Sequence, residues 1–227
     1  MKILAFDTSG DILTVGFYEG ARVLAEENSS GVRRHSEVLV PAIERVLRSA
    51  ALELQNLDVI AVGLGPGSFT GLRVGITTAK MLAFASNKKI VGIPSLQILA
   101  VAQSTPEGPI AVLMDAKKNK VYAAVYDIKN EGQIIQLRKP VLTGVRDILK
   151  KIPRKSWVLA LLPLDPGSQS VLKERGCHPV LDPRPPQAAD VARMGMDLAK
   201  KNKFIRAEDL KPLYLHPRDC NVIQKSK

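Results

Sequence analysis

Aromatic residues make up only 4% of the 227-residue chain, with a single tryptophan, so its core must be aliphatic. Cysteine is equally scarce. Cys177 and Cys220 stand far apart with no CxxC pair, which suits free thiols in a reducing compartment. No window approaches the roughly 18 consecutive apolar residues of a membrane span. The opening MKILAFD has one lysine, a short apolar run and an aspartate, unlike a secretory leader. These absences make a cytoplasmic chain with no membrane association the expectation. Of the three histidines, His178 and His216 lie in segments unrelated to His35, and there is no HExxH. A zinc-peptidase motif is therefore missing, and no nucleophile with a neighbouring base can be argued.

What is present is an ordinary hydrophobic content of 45% and a net charge of +11, from 33 basic and 22 acidic residues. The bases cluster in the second half: Lys117, Lys118 and Lys120; Lys150, Lys151, Arg154 and Lys155; Lys200, Lys201, Lys203 and Arg206. No aromatic-studded basic motif accompanies them. Such charge supplies affinity for a polyanion, but not sequence readout.

The chain is organised around Val59 to Ala85, VIAVGLGPGSFTGLRVGITTAKMLAFA. A short apolar run reads as a strand buried on both faces. Gly63, Gly65, Pro66, Gly67 and Ser68 make a tight turn, and Ser68 or Thr70 can cap the helix that follows. A strand, a glycine turn and a helix N-terminus together suit the close approach of an anion or of another backbone. The helix carries small residues at spacing four, Gly71, Gly75, Ala79 and Ala83, beside an apolar set of Leu72, Ile76 and Leu82. A helix apolar on two sides implies two neighbours, its own sheet and a partner.

Before this unit, Lys2–Asp7, Ile12–Tyr18 and Arg22–Glu27 read as an antiparallel meander. Gly31 to His35 is a basic loop, and Ser36 opens an amphipathic helix to about Ala51, with Pro41 one turn inside. Ile90–Ile93 is a strand, and Pro94-Ser95 opens a helix through Ala102. Ser104–Pro109 (STPEGP) is the domain boundary, giving a first lobe of residues 1–103 and a second of 104–227. The pattern then restarts. Ile110–Asp115, Val121–Tyr126 and Ile134–Val141 are strands, the last two joined by an Asn130-Glu131-Gly132 turn. Helix Val145–Lys151, strand Trp157–Leu162 and helix Gln169–Arg175 follow. A proline-rich stretch then leads to a helix over Asp190–Lys201 and a polar tail; both have the means to pack back on the first lobe.

A duplicated meander, helix, strand, glycine turn and helix resembles the α/β actin-like, sugar-kinase-like ATPase fold, with two ribonuclease-H-like lobes built on mixed sheets. Within it the chain resembles the TsaB family of bacterial accessory subunits of tRNA threonylcarbamoyladenosine synthesis. The residues that carry the resemblance are Ile3–Ser9 (ILAFDTS), His35–Pro41 (HSEVLVP), Gly65–Gly75 (GPGSFTGLRVG), Pro94-Ser95-Leu96, and Met114–Lys117 with Val121-Tyr122. It is close over roughly residues 1–126 and holds only in outline beyond.

The resemblance implies a non-catalytic subunit that binds the catalytic paralogue TsaD through the first lobe. TsaD transfers a threonylcarbamoyl group from its adenylate to the adenosine 3′ of the anticodon, and TsaE, an ATPase, joins the assembly. Alone, the chain is expected to pair with a second copy. The partner surface is expected on the two first-lobe helices, at His35, Leu39, Ile43, Leu72, Gly75, Ile76, Ala79 and Ala83. Replacing Gly75 or Ala79 with glutamate is then expected to abolish partner binding and spare the fold. The paralogue holds a metal through two histidines four apart on a helix. Here His35 is followed at that spacing by Leu39, so no metal site is expected. Asp7, Thr8, Ser9, Gly65, Gly67 and Ser68 retain part of a nucleotide-phosphate cradle, with no lysine in the hairpin, and any ATP binding is expected to be vestigial. The rival readings are an active ATPase or kinase of the same fold and a metallopeptidase.

Overall fold

A computed structural model describes residues 1–29, 35–103, 107–129 and 133–216. The expected loop at 31–34, the start of the breaker at 104–106, the turn at 130–132 and the tail from 217, with Cys220, lie outside the described residues.

The first sheet is built from β1 (Lys2–Asp7), β2 (Leu13–Glu19), β3 (Arg22–Ser29), β4 (Val59–Gly63) and β5 (Lys89–Ile93), in the order β3-β2-β1-β4-β5. β1 pairs antiparallel with β2 and parallel with β4, so the sheet is mixed. Alternation along these strands sends two apolar sets to opposite faces. Leu4, Phe6, Leu13, Val15, Phe17, Ile60 and Val62 meet α1 (His35–Ser49) and α2 (Phe69–Ser86). Ile3, Ala5, Tyr18, Val59, Ala61 and Val91 face the other way and meet α6 (Ala188–Lys200).

The second sheet repeats the plan. Its strands are β6 (Gly108–Asp115), β7 (Lys120–Ile128), β8 (Ile134–Gly144), β9 (Trp157–Leu161) and β10 (His178–Pro179), in the order β10-β9-β6-β7-β8. One face packs on α4 (Val145–Leu149) and α5 (Pro166–Glu174). The other packs on α3 (Ser95–Val101) through Leu96, Leu99 and Ala100. Each lobe's last helix therefore crosses to the other lobe's sheet: α3 covers the second sheet and α6 the first.

Arg184 ties the two crossovers together. Its Nε donates to Ala102 O at 2.6 Å, and its Nη2 donates to the buried carboxylate of Asp190 at 2.7 Å. Gln103 closes the clasp: its Nε2 donates to Arg184 O and its Oε1 accepts from Arg184 N. After α6 the chain returns along the first sheet. Ile205 N donates to Ile90 O, Leu210 enters the first core, and Leu213 N donates to Leu64 O. Leu215 then packs on the second lobe, and His216 meets Tyr122 edge-on at 5.6 Å.

Candidate functional site: the glycine turn and the outer helix face

β1 ends at Asp7 and β4 ends at Gly63, and the parallel pairing of these strands places the first hairpin beside the glycine turn. The two fit together without a gap. Ser9 O accepts from Ser68 N at 2.7 Å, and Thr8 Oγ1 donates to Gly71 O at 2.7 Å. A Cβ on Gly67 would lie 2.1 Å from Ser9 O, and one on Gly75 would lie 2.3 Å from Thr8 Oγ1. Glycine is required at both positions because the hairpin already occupies the space. Gly65 is bound on both sides by Ser95: its N–H donates to Ser95 Oγ, and its carbonyl accepts from Ser95 N. Of the two possible caps, Ser68 serves, with its Oγ accepting from Gly71 N at 3.2 Å.

Asp7, Thr8 and Ser9 are all buried. The Asp7 carboxylate accepts from Ser9 N at 2.8 Å and from Ser9 Oγ at 3.0 Å. Burial raises its pKa above the usual carboxylate value; hydrogen bonds from Ser9, Ser95 and Thr8 pull the other way without cancelling that effect. Asp7, Thr8, Ser9, Gly65, Gly67 and Ser68 thus come together. Ser9 O takes the Ser68 amide and Ser68 Oγ takes the Gly71 amide, so part of the anion-binding start of α2 is already occupied from within the protein.

His35 is the first residue of α1 and is buried, while Leu39, one turn on, lies in the core. Among the described residues no group of three or more His, Cys, Asp or Glu side chains comes together as a metal site.

The expected partner surface needs correction. His35, Leu39, Ile43, Leu72, Gly75, Ile76, Ala79 and Ala83 are all buried inside the protein's own core. The small row brings α2 against the first hairpin and the sheet, as the approach of Gly75 to Thr8 shows. A glutamate at Gly75 or Ala79 would break the fold and so would not isolate partner binding.

The exposed side of α2 is apolar at other positions. Phe69 is 51% exposed, Met81 61% and Phe84 84%, on one strip with Arg73 and Thr77. Val40, on the neighbouring α1, is 48% exposed. The N-terminal end of this strip is shaped by the returning chain. Arg73 lies 3.9 Å over the Phe69 ring and donates to Tyr214 Oη, and the Phe69 and Tyr214 rings are 5.3 Å apart. The exposed strip could have been found in the sequence as the helical complement of the small row. The contribution of Tyr214 could not, since 141 residues separate it from Arg73.

Two sheets of matching strand order, each giving its last helix to the other, define the actin-like ATPase fold with two ribonuclease-H-like lobes. A ROK hexokinase from Thermus thermophilus shares it with a TM-score of 0.50 at 14% identity, over 89% of this chain and 100% of that one. A Pseudomonas aeruginosa protein described as similar to the peptidase YeaZ superposes with a TM-score of 0.79 at 24% identity, over 95% of this chain and 99% of its own. The family model for TsaD, tRNA N6-adenosine threonylcarbamoyltransferase, matches residues 22–210. The Bacillus subtilis tRNA threonylcarbamoyladenosine biosynthesis protein TsaB is 33% identical over 156 residues, 68% of each chain. Its Escherichia coli counterpart is 27% identical over 95% of this chain and 94% of its own. The chain belongs to the TsaB family.

Proposed function

We propose that this chain serves in tRNA threonylcarbamoyladenosine biosynthesis as a non-catalytic accessory subunit that docks and activates a TsaD-like paralogue. The observation that carries the reading is the pairing of a sealed phosphate hairpin with an open apolar helix face. Asp7, Thr8, Ser9 and the glycine turn bond chiefly to one another, which supports a structural role for the hairpin over handling of a nucleotide. Phe69, Met81 and Phe84 offer apolar area on the same lobe, and Val40 is exposed on α1, which packs against α2. Exposed aromatic and methionine side chains along one helix favour a protein partner over solvent.

In this reading the strip packs against the equivalent helices of the paralogue, and without the paralogue it packs against a second copy of this chain. Docking orders the partner's cleft for transfer of the threonylcarbamoyl group to tRNA, and a TsaE-like ATPase acts on the pair. The chain itself turns over no ATP and holds no metal.

The test is co-purification with the TsaD-like paralogue. Phe84→Glu and Met81→Glu are expected to abolish association and leave the melting temperature of the isolated chain within a few degrees of the parent. Retained association would place the interface elsewhere. ATP hydrolysis by the isolated chain, lost in Asp7→Ala, would favour the kinase reading instead.

A further inference from the structure

We propose that the end of the first lobe where β1, β4 and β5 begin is a polyanion surface that takes the phosphodiester backbone of RNA. The parallel register of these strands puts their starting residues on one rim, with Ile3 beside Val59 and Val59 beside Lys89. The chain leaving α6 arrives at the same rim. Lys203 N donates to Leu198 O at the helix end, Phe204 lies beneath Lys89 with the ammonium 4.5 Å from its ring, and Ile205 N donates to Ile90 O. Two segments more than a hundred residues apart thereby meet, one carrying Lys88 and Lys89 and the other Lys200, Lys201 and Lys203.

A shallow groove of about 520 Å³ opens beside Lys88 and Lys89, lined also by Leu57, Val59 and Phe204. Three acidic groups belong to the same region. Asp58 is engaged by Lys2 N–H at 2.7 Å, Glu19 stands opposite Lys2 in the β1–β2 register, and Asp197 sits on the last turn of α6. The five lysines outnumber these carboxylates. Among the described residues none of the five lysines forms an ion pair. The basic hairpin singled out in the sequence is poorer. Lys117 is held by Asp115 at 2.6 Å, which leaves only Lys118 and Lys120 unpaired at that tip. Arg206 is likewise taken, by Glu208 and Asp209.

The chemistry of the rim fixes how it reads its ligand. Lys89 covers one face of the Phe204 ring, so a cation already takes part of the stacking surface a base would use. Ammonium groups bind a phosphodiester backbone by counterion release and without sequence preference. That RNA is the polyanion rests on the function proposed above.

Fluorescence anisotropy of a labelled tRNA transcript, titrated with the isolated full chain across a salt series, tests this. Lys88→Glu, Lys89→Glu and Lys203→Glu combined are expected to weaken binding more than tenfold and to flatten the log–log salt slope by about one per lysine. The corresponding triple glutamine variant is expected to shift both in the same direction by less. Lys118→Glu with Lys120→Glu is expected to change affinity less than threefold. Wild-type affinity in the triple glutamate variant, or a larger loss in the hairpin variant, would overturn the proposal. So would displacement of labelled tRNA by polyglutamate as readily as by unlabelled tRNA, which would assign the surface to an acidic protein. Because the isolated chain is titrated, failure to activate the paralogue would leave this result standing, and failure of the lysine variants would leave the accessory role standing.

Discussion

Asp7 shows how one buried carboxylate can report on the site. Its folded pKa is raised by burial above the ordinary aspartate value. Between the unfolded and folded pKa values the native state binds the extra proton, so stability falls as pH rises through that window and then levels off. Asparagine does not titrate. The stability of Asp7→Asn relative to the parent is therefore expected to rise from about pH 4 upward and then plateau, as followed by urea denaturation. A relative stability that falls over the same range would mean that hydrogen bonds, not burial, dominate at Asp7. Gly67 tests the seal of the turn directly. Its added methyl would meet the Ser9 carbonyl at 2.1 Å, a backbone atom with little freedom to move. Gly67→Ala is expected to cost about 1–3 kcal/mol in denaturant unfolding, as overpacking of a filled site does.

At the scale of elements, α2 bears two kinds of surface. Its buried side is fixed by Gly71, Gly75, Ala79 and Ala83, and its exposed side by Phe69, Met81 and Phe84. Phe84→Glu on the exposed side is expected to change monomer stability by less than about 0.5 kcal/mol, as surface substitutions do, and to shift the isolated chain toward monomer in sedimentation velocity. The strand, glycine turn and helix of this unit were legible in the sequence because period, punctuation and capping agree there. The meander and the restart after residue 104 were legible for the same reason. The assignment of the small row to a partner was wrong because spacing alone cannot say which of two apolar sides meets the molecule's own sheet. Leu72 and Ile76 share the buried side with the row, since α2 enters so close to the first hairpin. The two-residue β10 has no periodicity to detect, and β8 runs three residues past the expected Val141, to Gly144.

At the scale of the whole molecule, the two lobes are joined by exchange of α3 and α6 and held by two clasps. Arg184 binds both crossovers at one, and the returning chain spans from Leu64 to Tyr122 at the other. Neither was legible in the sequence, because each depends on contacts between residues far apart in the chain. Arg184→Ala leaves the buried Asp190 carboxylate without its cation. It is expected to cost about 2 kcal/mol, reduced from the fully buried case because the arginine is partly exposed. Hydrogen exchange at Gln103 and Gln187 is expected to quicken in that variant, and unchanged exchange would show that the clasp does not hold the crossovers. In the proposed role, the exposed face of α2 is the part of this pair of lobes that meets the paralogue. The direct measurement is reconstitution of threonylcarbamoyl transfer to tRNA with a TsaD-like paralogue and a TsaE-like ATPase, with and without this chain. An accessory subunit predicts transfer that requires the wild-type chain, persists with Asp7→Asn and is lost with Phe84→Glu. Transfer that proceeds equally well without the chain, or that survives Phe84→Glu, would contradict the account.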